Sequence, residues 1–132
     1  MLAPTCGISK RKQSKKGSEW VINGTKQWIT NAPYADYCLL FAVTDPELKS
    51  NRKGGITCFF VETDSVGFSV DSAIPVMGDL GGEAGIISLD HLHVPEENIV
   101  GELHMGFTRA INGINTGRLG MSGKCIGSAN GH

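Results

Sequence analysis

At 132 residues and a net charge of −1, the chain suits one domain with a respectable core and offers no global attraction to nucleic acid or to an acidic membrane surface. With 40% hydrophobic and 19% charged residues its composition is that of an ordinary soluble protein, and no apolar run reaches membrane-spanning length. Cys6, Cys38, Cys58 and Cys125 are scattered with no CxxC pair, which favours reduced thiols in a cytosol or matrix over a disulfide framework or a zinc site. Met1-Leu2-Ala3-Pro4 has none of the extended apolar character of a signal peptide.

Residues 1–17 hold little apolar content and a basic run, Lys10, Arg11, Lys12, Lys15 and Lys16, closed by Gly17. With no aromatics interleaved and the total charge balanced, this stretch reads as a flexible solvated arm and not as a nucleic-acid contact. Trp20-Val21-Ile22 is apolar and β-favouring, and Asn23-Gly24 after it predicts a hairpin turn, because both central positions of such a turn want positive φ. Strand alternation then sends Thr25, Gln27 and Ile29 one way and Lys26, Trp28 and Thr30 the other. A flat aromatic and a hydroxyl two residues apart suit a planar polar ring such as a flavin; residue geometry alone favours the plainer reading, a cross-strand Trp and a surface Thr.

Asn31 to Asp36 is loop chemistry, and Tyr37 to Thr44 predicts a buried central strand. Asp45 to Gly55 reads as an exposed connection, Ile56 to Glu62 as a second strong strand, and Phe68-Ser69-Val70 as a short one. A glycine-rich passage from Gly78 to Gly85 leads into a strand from Ile86 through Val94 that Pro95 ends. That passage is not GxGxxG opening a helix, so it predicts a bend between strands and no dinucleotide fold. Short strands separated by turns, with no alternating helices, predict an antiparallel β-barrel or sandwich. His91 and His93 share one face of the last strand, but no third ligand lies nearby and His104 follows a turn, so no metal site is expected. From Met105 onward Phe107, Ile111, Ile114, Arg118, Met121 and Cys125 recur every three or four residues, which predicts one face of a helix. Gly113, Gly117, Gly120, Gly123 and Gly127 lie inside it at about 1 kcal/mol each relative to Ala, so this helix needs close packing partners.

Four blocks in order carry a family resemblance: WVINGTKQWITNAPYADYCLLFAVTD, GGITCFFVETDSVGFSV, LDHLHVPEENIVGELHMGF and GRLGMSGKCIGSANG. With family-like spacing from about Gly17 to the last residue, the chain resembles the middle β-domain of acyl-CoA dehydrogenases followed by the opening of their next helix. After the flexible basic arm over residues 1–17, the resemblance implies a middle β-domain over 18–103 and, over 104–132, the incomplete start of a C-terminal helical domain. It implies FAD as cofactor, with the triplet Trp28, Ile29 and Thr30 against it, the indole beside the isoalloxazine and the hydroxyl near N5. It implies α,β-dehydrogenation of an acyl-CoA thioester, the β-hydride passing to flavin N5. Electrons then pass to an electron-transferring flavoprotein, and the enzyme is a homo-oligomer, a tetramer by resemblance, in the cytoplasm or a mitochondrial matrix, with no nucleic-acid or membrane partner.

The family's acyl-CoA-facing acidic residue and Arg, three apart on the first long helix, correspond to Asn115 and Arg118, so the charge of the first is gone. Where some members carry a catalytic Glu this chain has Gly117, and Glu62, Glu83, Glu96, Glu97 and Glu102 read as surface carboxylates, so no catalytic residue is assigned. The Thr-Glu-Pro and Gly-Ser-Asp motifs that precede the hairpin in the family are absent, and its Arg, Ser and Thr of the glycine-rich passage correspond to Leu80, Gly82 and Ala84. The expectation is a fragment that supplies part of the flavin and acyl-CoA sites. Two alternatives stay open: a flavin enzyme on the same fold, such as an acyl-CoA oxidase or a flavin-dependent monooxygenase, and a non-enzymatic interaction module.

Overall fold

The computed structural model describes residues 7–14, 17–51, 53–75, 77 and 83–131. Six strands, β1 (Gly7–Ser14), β2 (Gly17–Thr30), β3 (Tyr37–Val43), β4 (Ile56–Glu62), β5 (Phe68–Ile74) and β6 (Ala84–Pro95), form one sheet in the order β4-β3-β1-β2-β6-β5. All neighbours are antiparallel except β1 and β3, which meet in parallel at Gly7 and Val43. A short helix, α1 (Pro46–Ser50), lies in the β3–β4 connection, and a long one, α2 (Gly106–Asn130), follows β6. The mainly antiparallel expectation with a C-terminal helix is met; the ladder leaves β4 and β5 as edges and does not close into a barrel.

The sheet nevertheless folds over itself. Trp20 on β2 and Phe59 on β4 are separated in the ladder by β1 and β3, a distance of roughly 14 Å in a flat sheet. Their ring centroids are 6.0 Å apart. The core lies in that fold: Trp20 and Ile22 from β2, Leu40 and Ala42 from β3, Phe59 and Val61 from β4, and Ile87, Leu89, Leu92 and Val94 from β6. Along β3 the buried Leu40 and Ala42 alternate with less buried neighbours, as a one-sided sheet requires. β3 is therefore not buried on both sides, and Tyr37 and Leu39 are exposed at its start.

Two expectations are corrected at β2. In place of a solvated arm over residues 1–17, Gly7–Ser14 is a strand whose partners run from Gly7 opposite Asn23 to Ser14 opposite Gly17. A charged strand needs only a paired backbone, and β2 supplies it. Asn23-Gly24 then makes no hairpin turn, because β2 runs through it to Thr30. The pair lies opposite a β-bulge. Ile22 faces Leu92 and Gly24 faces Leu89, so two steps of β2 match three of β6. The extra residue is absorbed near His91, at φ +50, whose backbone N–H donates to Asn23 Oδ1 at 2.8 Å. The positive φ expected of the dipeptide is present at Gly24, +143°, and serves the bulge.

The exposed connection from Asp45 to Gly55 contains α1, capped by Asp45 Oδ1, which accepts from the N–H groups of Glu47 and Leu48 at 2.9 Å. Among the described residues, α2 is anchored through its first turns. Gly106 is buried against β4, where a Cβ would stand 2.6 Å from the Cys58 backbone nitrogen, and the helix is exposed from Asn112 to Gly131. Just before it, Thr44 Oγ1 bonds both Thr57 Oγ1 (2.7 Å) and His104 Nδ1 (2.8 Å), and the His104 N–H donates to Thr57 Oγ1. No described helix is long and apolar enough to cross a membrane.

Candidate functional site

A second bulge sets the orientation of Trp28. Lys26 pairs with Ile87 and Ile29 with Gly85, so three steps of β2 match two of β6. The extra residue reverses the alternation. Lys26 faces the core, Trp28 turns outward, and Ile29 packs against the core. Trp28 takes φ +64, a left-handed conformation unusual for a bulky residue, and leaves its indole 58% exposed. Thr30, paired with Ala84, is exposed at the end of the strand. Neither side chain makes a hydrogen bond to another described residue. A flat apolar surface and an uncommitted hydroxyl thus stand together at a strand end, which is the donor set and shape that the edge of a planar polar ring requires.

The turn after Thr30 is firmly tied. Asn31, at φ +61, donates its N–H to Glu83 O at 2.8 Å, and Tyr34 and Ala35 both donate N–H to Asn31 O at 3.0 Å. Tyr34 O–H donates to Glu83 Oε2 at 2.7 Å, and this bond holds the phenol proton and raises the Tyr34 pKa. Thr63 Oγ1 donates to Ala35 O at 2.6 Å and joins the turn to the end of β4.

Behind Thr30 lies a cavity of about 330 Å³, lined by Lys26, Ile29, Thr30, Tyr37, Cys38 and Thr63 among others. Burial pushes the Cys38 thiol up to about 11, against the Lys26 charge, which lowers it, and with a smaller upward contribution from Cys58. Cys58 is likewise raised, by burial first, with Arg109 opposing. Neither is an activated thiol.

A second cavity, about 550 Å³, opens where α2 leaves the sheet, between Lys49, Lys53 and His104 on its polar side and Ile56, Met105 and Phe107 on its apolar side. Gly54 and Gly55, at φ +127 and +83, let the β3–β4 connection close on it. Lys26 and this lysine pair went unread in the sequence: Lys26 is hidden by a bulge, and Lys49 and Lys53 belong to a connection with no periodicity.

Asn115 and Arg118 lie one turn apart on the exposed part of α2, with Arg118 Nη1 donating to Asn115 Oδ1 at 3.5 Å. They share an element neither with Trp28 and Thr30 nor with the cavity behind them. Of the three glycine-passage positions, Leu80 and Gly82 lie outside the described residues; Ala84 stands between Thr30 and Ile74 in the ladder. His91 and His93 both point outward and each bonds its own acid: His91 Nδ1 donates to Asp90 Oδ1 at 2.6 Å and His93 Nδ1 to Glu19 Oε2 at 3.3 Å.

Over residues 5–92 the sequence matches the family described as acyl-CoA dehydrogenase, middle domain. It is 35% identical over 122 residues to the mitochondrial short/branched chain specific acyl-CoA dehydrogenase of Rattus norvegicus, covering 92% of this chain and 28% of that protein. Against the mitochondrial short-chain specific acyl-CoA dehydrogenase of Rattus norvegicus the identity is 31% over 123 residues, 93% of this chain and 29% of that one. The fold superposes on butyryl-CoA dehydrogenase from Megasphaera elsdenii with a TM-score of 0.70 and 32% identity, covering 77% of this chain and 26% of that one. The chain thus spans under a third of the length of these relatives.

Proposed function

Since the chain belongs to the acyl-CoA dehydrogenase family and carries its middle domain, we propose that it forms part of an FAD-dependent oxidoreductase that α,β-dehydrogenates an acyl-CoA thioester. The observation that carries this reading is the bulge that turns Trp28 out beside the uncommitted Thr30 hydroxyl. Bound there, FAD supplies the hydride acceptor. Trp28 offers its indole face to the ring, Ile29 backs it from the core side, and Thr30 donates a hydrogen bond near N5 that fixes the ring for transfer.

The two cavities support acyl-CoA as substrate. They lie at opposite ends of β3, seven residues and roughly 20 Å long. Lys49 and Lys53 suit the phosphates of coenzyme A, and Arg118 with Asn115 contacts the acyl-CoA from α2. Glu62, Glu83, Glu96, Glu97 and Glu102 lie at strand ends, in loops and in the turn after β6, and position 117 is glycine, so the α-proton is taken by a base other than these. Electrons leave to an electron-transferring flavoprotein, and the parent enzyme is a homo-oligomer of the cytoplasm or mitochondrial matrix.

FAD titration followed by flavin fluorescence and tryptophan quenching tests this. Saturable binding that weakens on Trp28→Phe and on Thr30→Ala is the expected result; no binding at millimolar FAD by the chain or by its full-length parent overturns it. Ala84 favours a second reading. Its methyl stands beside Thr30 where the dehydrogenase resemblance puts a hydroxyl, which leaves room for an acyl-CoA oxidase or flavin-dependent monooxygenase. Oxygen consumption against dye reduction by the parent separates the two.

A further inference from the structure

We infer that His104 makes the cavity at the start of α2 a phosphate-monoester site, its imidazole Nε2 donating beside the Lys49 and Lys53 charges. In the acyl-CoA reading above, on which this last step rests, the monoester is the 3′-phosphate beside the adenine of coenzyme A.

The backbone gives the first reason. His104 is held at φ +68, a conformation that glycine adopts without strain. A bulkier residue stays there only where its surroundings hold it, and such positions cluster at ligand sites. Here the surroundings are specific. The His104 N–H donates to Thr57 Oγ1 at 2.9 Å, and Nδ1 meets Thr44 Oγ1 at 2.8 Å. On the other side, a Cβ on Gly54 would stand 2.7 Å from the His104 carbonyl oxygen. Backbone and ring are thus both fixed.

The same bonds assign the tautomer. Thr57 is fully buried and its hydroxyl already accepts from the His104 N–H, so its own proton goes to Thr44 Oγ1 at 2.7 Å. The Thr44 proton then has two acceptors in reach, His104 Nδ1 at 2.8 Å and Gly55 O at 3.5 Å, and takes the nearer. Nδ1 is therefore an acceptor, and the neutral ring carries its proton on Nε2. His104 lines the cavity, and Nε2 has no partner among the described residues.

The lining sets the ligand class. A volume of about 550 Å³ is that of a small-molecule site. Lys49, Lys53 and Nε2–H are all donors, Thr108 adds a hydroxyl, and no described Asp or Glu lines the cavity. Two ammonium groups attract a doubly charged phosphate but, as point charges on flexible stems, do not fix its orientation. The immobilised imidazole N–H does. Facing these groups, Ile56, Met105 and Phe107 form an apolar wall. A phosphate monoester carried next to a planar base meets both sides at once. The diphosphate of coenzyme A lies between a ribose and a flexible chain and would meet only the cations.

Calorimetric titration of the chain with adenosine 3′-phosphate and with adenosine tests the site. Coenzyme A against dephospho-coenzyme A tests its place in the substrate. His104→Gly removes the donor and suits the backbone; His104→Asn, which also tolerates positive φ, replaces it if circular dichroism shows a lost fold. Affinity for adenosine 3′-phosphate is expected to fall about tenfold or more, the loss of a hydrogen bond to a charged group, while adenosine binds weakly and alike in both. Lys49→Gln and Lys53→Gln are expected to weaken the same ligand severalfold, less so at high salt. Nitrogen NMR of the neutral His104 ring is expected to show the proton on Nε2. Unchanged affinity for adenosine 3′-phosphate in His104→Gly overturns the inference. So does a wild type that does not bind it or binds adenosine equally well, and so does a neutral ring protonated on Nδ1. Binding of adenosine 3′-phosphate without preference for coenzyme A over dephospho-coenzyme A keeps the phosphate site and overturns the acyl-CoA reading of this cavity instead.

Discussion

Gly85 lies directly against Ala32: a methyl group on Gly85 would stand 2.8 Å from the Ala32 methyl, with Pro33 Cδ at 3.4 Å. The contact seats the turn after Thr30 on β6, at the position where Ile29 faces Gly85 across the bulge. Gly85→Ala therefore has to push the turn away from the sheet. Overpacking of this kind costs about 1–3 kcal/mol. Urea unfolding should show a loss of that order, with FAD affinity falling in the same variant. A Gly85→Ala protein with wild-type stability and affinity would mean that the turn has room to move and does not position Thr30.

Trp28 and Trp20 should respond oppositely to truncation although they lie on one strand. Trp20 is in the core against Phe59, so Trp20→Ala is expected to cost about 3–5 kcal/mol. Trp28 is mostly exposed and holds a left-handed backbone that costs a non-glycine residue about 1–2 kcal/mol. Trp28→Gly relieves that strain while losing partial packing, so stability should stay within about 1 kcal/mol of wild type. FAD affinity should fall by about tenfold or more, the loss expected of an aromatic contact worth roughly 1.4 kcal/mol. Equal destabilisation by the two substitutions would make Trp28 a core residue and remove the argument for a ring-binding face.

The sequence was most legible where one face of a strand is buried. Leu40 and Ala42, Phe59 and Val61, and Leu92 and Val94 alternate with outward residues, and the corresponding strands lie where the pattern puts them. It was least legible at residues whose role depends on pairing. Asn23-Gly24 has the composition of a hairpin turn, and only the presence of β6 across from it converts the pair into one side of a bulge. The basic residues of β1 carry no apolar period, and their strand exists because β2 offers a free edge. At the candidate site the sequence puts Lys26, Trp28 and Thr30 on one regular face, and Trp28 and Thr30 do lie outward together while Lys26 does not. The extra residue that parts Lys26 from them and buries it is a property of two strands together and leaves no mark on either alone.

The glycines of α2 divide into one that is required and several that are not. A Cβ on Gly106 would meet the Cys58 nitrogen at 2.6 Å and the Thr57 carbonyl carbon at 2.7 Å, both backbone atoms that cannot rotate away. Gly106→Ala should detach the helix start from β4, with a loss of about 1–3 kcal/mol by urea unfolding. At Gly113, Gly117 and Gly120 a Cβ would meet nothing within 4 Å. Alanine at each should raise helix content by circular dichroism and add up to about 1 kcal/mol, the difference in helix propensity. If Gly117→Ala instead lowers the stability of this chain, the helix packs on a surface other than β4.

Stability should fall as the solution becomes alkaline, and Cys38 should account for part of the fall. Burial raises its pKa from an ordinary 9.0 to about 11 in the folded chain. Between these values the unfolded chain has released the proton and the folded chain still holds it. The folded state binds more protons, so unfolding is favoured as pH rises. The contribution is fully present below pH 9 and is lost on passing through about 11. With a discount for the partial exposure of the residue it amounts to about 1–2 kcal/mol. Urea midpoints recorded across that window for the wild type and for Cys38→Ala should diverge, with the variant showing the shallower decline. Parallel curves would mean that the thiol titrates alike in both states and that the cavity behind Thr30 is open to water.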